Sequence, residues 1–93
     1  MTVTIMIPTP LRPSVHGQEK LQFEASSVQE AINALVEQYP KVKQYVIDDK
    51  GELRKFVNFY INNTDIRDLN NAQSELNNGD ILSIVPAIAG GLQ

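Results

Sequence analysis

The chain has no cysteine and a single histidine among its 93 residues. Thiolate catalysis, disulfides and the usual zinc sites are therefore excluded, and any sulfur chemistry must use something other than a side-chain thiol. It also lacks a positive excess: the formal net charge is -3 and the basic residues are scattered, so the phosphate-neutralising footprint of a nucleic-acid binder is missing. Long apolar runs are absent too. The start, Met1-Thr2-Val3-Thr4-Ile5-Met6-Ile7-Pro8, has neither the charged n-region of a signal peptide nor the length of a membrane span, and a cytoplasmic protein is expected.

What is present is ordinary for one small soluble domain, with 42% hydrophobic and 20% charged residues. A chain this short buries only about 60–65% of its unfolded surface, which favours a function carried by a surface or a tail over one in an enclosed pocket.

Val3, Ile5 and Ile7 alternate with Thr4 and Met6, the period of a strand with one covered face. Residues 8–17 hold three prolines and a glycine and read as a loop with fixed bends. Leu21, Phe23 and Ala25 give a second strand, antiparallel to the first. Ser26 or Ser27 then caps a helix, with Glu30 completing a capping box. Val28, Ala31, Ile32, Leu35, Val36 and Tyr39 form one apolar stripe that must lie against a sheet, and Pro40 stops the helix.

Beyond it, Tyr45-Val46-Ile47 reads as a short strand, Asp48-Asp49-Lys50-Gly51 as a polar turn and Phe56 to Ile61 as the strongest β segment. Asn62 to Asp65 is a turn, and Leu69 to Leu76 a polar segment with at most one helical turn. Asn77-Asn78-Gly79-Asp80 leads into a last strand, Ile81 to Val85, which Pro86 ends. This order predicts an α+β domain, a mixed four- to five-stranded sheet with one main helix packed across it. A final strand inserted beside the first would make it the β-grasp arrangement of ubiquitin. The domain is expected to span residues 1–86, followed by a flexible tail, 87–93.

In that tail, Gly90-Gly91 is the only feature with chemical promise. An adjacent glycine pair so near a terminus arises by chance in roughly 1–2% of chains. Glycine has no Cβ and lets backbone approach backbone, as threading a C-terminus through a narrow channel requires. Five extended residues, Ala87 to Gly91, reach on the order of 17 Å. On the last strand Leu82 and Ile84 should face the helix, leaving Ile81, Ser83 and Val85 on the opposite side as a candidate docking face, with Pro86 beside them. Only one of Phe59 and Tyr60 can be core. His16 reads as plain surface. Arg12, Arg54 and Lys55 either pair with the acidic group Asp48, Asp49 and Glu52 or meet a partner.

Leu76, Gly79-Asp80, the alternating Leu82 and Ile84, Pro86 and Gly90-Gly91 resemble the C-terminal signature of the MoaD/ThiS family of ubiquitin-like sulfur carriers. Ile7-Pro8-Thr9, Leu11-Arg12-Pro13, Arg54, Phe56-Val57-Asn58, Tyr60-Ile61-Asn62, Ile66-Arg67 and Val85-Pro86-Ala87 extend the likeness to the CysO (cysteine-biosynthesis) branch. The resemblance implies a protein substrate, not an enzyme. An E1-like adenylating enzyme of MoeB/ThiF type would activate the Gly91 carboxylate with ATP, with Ala89 and Gly90 threading into it, and a sulfur donor would convert it to a thiocarboxylate. The acceptor would be a PLP-dependent cysteine synthase, and a JAMM-type metalloprotease would release the product; the carrier itself would bind no cofactor. The departure is Leu92-Gln93, which puts an amide where the free carboxylate is needed, so that either a protease removes the dipeptide or it is a cloning remnant. Molybdopterin or thiamine synthesis, or a ubiquitin-like modifier conjugated through Gly91, stand as alternatives, as does an interaction domain whose glycines have no chemistry.

Overall fold

The computed structural model describes residues 1–86. Five strands, β1 (Thr2–Met6), β2 (Lys20–Glu24), β3 (Val57–Ile61), β4 (Thr64–Asp65) and β5 (Ile81–Pro86), form one sheet in the order β2-β1-β5-β3-β4. β1 and β5 run parallel and every other pair is antiparallel, so the last strand lies between the first and third. This is the β-grasp order expected from the sequence.

Helix α1 (Val28–Gln38) packs across the sheet through Val28, Ala31, Ile32 and Leu35, all fully buried. Val36 and Tyr39 complete the stripe at its margin, where they are half-buried against the core. Both serines serve its start. The Ser27 hydroxyl accepts from Glu30 N at 3.2 Å, while the Glu30 carboxylate closes the box on Ser26, accepting from its backbone N and its hydroxyl.

The segment 66–78 buttresses this helix start. Val28 N donates to Ser74 O and Leu76 N to Ser26 O, which draws Leu76 into the core. The single helical turn expected between Leu69 and Leu76 is the 3-10 turn Asn71–Gln73, and another, Ile66–Asp68, precedes it. Ser74 is buried, and its hydroxyl accepts from Asn70 N at 2.9 Å.

Three local readings change. Residues Thr9–Val15 are a 3-10 helix, not an irregular loop, because Leu11 and Val15, four apart, both enter the core. Tyr45 and Val46 are not strand: they belong to a short helix, α2 (Lys43–Val46), with Val42 and Val46 fully buried. Ile47 makes only an isolated bridge to Leu53. Thr64 and Asp65, read as part of a turn, form β4 against Ile61 and Tyr60.

Candidate functional site

The strand that leads to the tail is the most firmly placed in the sheet. On one side, Gly79 N donates to Thr2 O and Thr4 N to Asp80 O, at 2.8 and 3.0 Å. Gly79 sits at φ +88, a conformation that side chains resist, which is why glycine stands there. On the other side Asn62, itself at φ 58, brackets the strand's first residue. Its backbone N donates to Ile81 O, its amide oxygen accepts from Ile81 N and its amide nitrogen donates to Asp80 Oδ1. Pairing with β3 then continues to the last rung, Val57 opposite Pro86. Pro86, the last described residue, is therefore held in a central strand.

Alternation along β5 is as the sequence indicates. Leu82 and Ile84 are buried; Ile81 and Val85 are 41% and 43% exposed on the opposite face. Ser83 lies between Met6 and Tyr60 on neighbouring strands, Ile81 beside Thr4 and Val85 beside Asn58. With Met6 at 36% exposure, these residues make an apolar surface over the middle of the sheet. Pro86 has the parity of Leu82 and Ile84, so it faces the helix side, away from Ile81, Ser83 and Val85. Phe59 is the core member of its pair, and Tyr60 is half-exposed.

Ala87 to Gln93, and with them Ala89, Gly90, Gly91, Leu92 and Gln93, lie outside the described residues.

The charged residues arrange themselves differently from either simple pairing. Asp48 turns inward on its own loop and accepts from Lys50 N and Glu52 N; the Glu52 N–H is the main cause that holds its carboxyl below the usual range. Arg54 donates through Nε to Gln44 O at 2.7 Å, and Arg12 through Nε to Ile7 O at 3.1 Å. Arg67 grips Asp65, and the Arg67 side chain lowers that carboxyl's pKa. His16 packs edge-on to Tyr39, ring centroids 5.9 Å apart.

Sequence reading missed a groove of about 600 Å3 on the helix side, between Leu53, Arg54, Val57, Ile66, Arg67 and Ala72. Its walls come from segments distant in the chain, and no local pattern signals it. Among the described residues no group of acids and histidine is placed to hold a metal ion, and no helix is long and apolar enough to cross a membrane.

A β-grasp body with a glycine pair beyond its central strand occurs in several protein lineages, and comparison with known proteins decides between them. The ThiS family model matches residues 5–91. The chain belongs to the ThiS family. The match ends at Gly91, which leaves Leu92-Gln93 outside it. The chain is 34% identical to the sulfur carrier protein CysO of Mycobacterium tuberculosis (strain ATCC 25618 / H37Rv) over 93 residues, 98% of this chain and all of that one. Among solved structures, it resembles a chain of the Amycolatopsis orientalis BexX/CysO complex with a TM-score of 0.87 and 32% identity, covering 96% of this chain and 99% of that one. The small archaeal modifier protein 1 of Methanosarcina acetivorans gives a TM-score of 0.85 at 27% identity, covering 97% and 96%.

Proposed function

We propose that this ThiS-family chain is a sulfur carrier whose reactive group is the backbone carboxylate of Gly91, serving cysteine biosynthesis as in the CysO branch. The observation that carries the reading is the likeness to CysO, which covers 98% of this chain and all of that one, together with a family match that stops at the second glycine.

The chemistry follows from what the tail offers. The Gly91 carboxylate attacks the α-phosphorus of ATP in an E1-like enzyme, pyrophosphate leaves, and an acyl adenylate forms. A sulfur nucleophile then displaces AMP and leaves a thiocarboxylate, a far better nucleophile than a carboxylate, for an electrophilic acceptor on a PLP-dependent synthase. The carrier contributes no acid or base. Its body positions and identifies the tail, and Ile81, Ser83 and Val85 form the docking face, with Pro86 as the hinge to the arm. Such chemistry belongs in the cytoplasm, where ATP is supplied.

Leu92-Gln93 must leave first, because an amide cannot be adenylated. Hydrolysis of the Gly91–Leu92 bond, suited to a JAMM-type metalloprotease, adds water and frees the dipeptide. Protein ending at residue 91 and full-length protein, each incubated with activating enzyme, ATP and sulfide, test the reading by intact mass. Only the shortened form should exchange oxygen for sulfur at its terminus; a shortened form that never does so contradicts it.

The likeness to a small archaeal modifier protein supports a second reading, conjugation to lysines through Gly91. An isopeptide as first product, in place of a thiocarboxylate, would select it.

A further inference from the structure

The sheet has two chemically different ends. At one end, where β1 begins and β5 enters, stand Glu24, Glu75 and Asp80: Glu24 is opposite Thr2 on the first β1 rung, Asp80 precedes β5, and Glu75 bridges Ser27. At the other end β1 finishes, β3 starts, and β5 delivers the tail. Here stand Arg12, Lys20, Arg54 and Lys55. Lys20 is opposite Met6 on the last β1–β2 rung, and Arg54 and Lys55 lie three and two residues before Val57, the β3 residue that pairs with Pro86. A chain of net charge -3 thus gathers four cations toward the end of the sheet at which β5 finishes. The acids nearest them are Glu19, 3.9 Å from Arg12, Glu52, and Asp48, whose carboxyl is held below its usual range first by Glu52 N–H and further by the charge of Arg54.

The two arginines are held for use. Each spends Nε on a backbone carbonyl, Ile7 O for Arg12 and Gln44 O for Arg54, which fixes the plane of the guanidinium. A guanidinium fixed in this way loses little entropy on meeting a carboxylate. Arg12 follows β1 in the 3-10 helix and Arg54 precedes β3; these two strands flank β5 and lie about 10 Å apart, two strand spacings. Lys20 and Lys55 are exposed.

We propose that this basic rim docks against carboxylates surrounding the mouth of the partner's tail channel, and that it orients the carrier so that the tail, not the acidic end, approaches. The partner is a protein with an acidic collar; charge complementarity both guides encounter and rejects the reversed orientation. The rim adjoins the apolar face of Ile81 and Val85, since Lys20 shares a rung with Met6, and the proposal rests on the carrier reading above.

The test uses protein ending at residue 91, the activating enzyme, and ATP–pyrophosphate exchange as readout. Lys20→Glu with Lys55→Glu, exposed positions whose side chains make no hydrogen bond among the described residues, should raise the KM for carrier about tenfold with kcat nearly unchanged. Adding Arg12→Glu and Arg54→Glu should raise it further and remove the salt dependence seen with the unaltered chain. Glu75→Lys, a reversal at the far end, should leave KM in place. Unchanged KM in the lysine pair, or a shift confined to the KM for ATP, would overturn the proposal; the second result would assign these cations to the nucleotide. If the unaltered shortened chain supports no exchange at all, the carrier reading itself falls, and this surface with it.

Discussion

Ile5 and Leu82 face each other on the parallel rung between β1 and β5, and both are completely buried. That rung, with Thr4–Ile81 and Met6–Ser83 on either side, joins the first strand of the chain to the last across a sequence separation of 77 (82 − 5) and buries β5 beneath helix α1. The loop-closure cost of such a distant pairing grows only slowly with length, so apolar burial at the rung can offset it.

Leu82→Ala should therefore cost about 2–5 kcal/mol, the usual range for emptying a leucine site in a packed core. Ile81→Ala, one residue earlier but on the open face, should stay within about 0.5 kcal/mol. Urea unfolding of the two variants checks the contrast.

Ser27→Ala removes the acceptor for Glu30 N at the start of α1 and should cost about 1 kcal/mol. Ser26→Ala, which leaves that bond and deletes only the hydroxyl donor to Glu30, should cost less. Thermal unfolding with calorimetry measures both.

Ile81→Asp with Val85→Asp should leave the fold intact, because neither side chain is core, yet weaken activation by about 1–2 kcal/mol, a five- to thirtyfold loss in kcat/KM. Unaltered kcat/KM in a pyrophosphate-exchange assay would remove the apolar face from the docking surface.

Acid should destabilise the chain. The carboxyl of Glu24 is held below its usual range by the Thr2 hydroxyl, that of Glu30 by Ser26 N–H, that of Asp48 by Glu52 N–H and that of Asp65 by Arg67. A folded pKa below the unfolded one gives stability that is present above the unfolded value, about 4, and is lost as pH falls through the folded value. The urea midpoint should hold steady from pH 7 to pH 5 and fall below pH 4. Glu30→Gln and Asp48→Asn should each make that fall shallower.

How legible the molecule was depended on how far each signal reached. β1, β2, α1 and β5 were legible because one face of each is buried, and burial imposes a period of two or of 3.6 on consecutive residues. The 3-10 helix at Thr9–Val15 was not, since its prolines read as punctuation and only Leu11 and Val15 show that it enters the core. α2 was misread because tyrosine, valine and isoleucine favour strands, while the packing of Val42 and Val46 selects helix. β4, two residues long, has too few positions to show a period. For the site, Ile81, Ser83 and Val85 were found by alternation. The placement of Pro86 toward the helix side follows from the same alternation.

The sequence alone determined the order of the main elements, which face of each is buried and the presence of the glycine pair on which the proposed chemistry rests, since these depend on neighbours a few residues apart. Only the tertiary structure decided what surrounds the tail's point of departure. Arg12 is pinned to Ile7 and Arg54 to Gln44 by the local path of the chain, whereas the gathering of cations at one end of the sheet arises from strands that meet after folding. No pattern in the linear chain records which strand ends will share an edge.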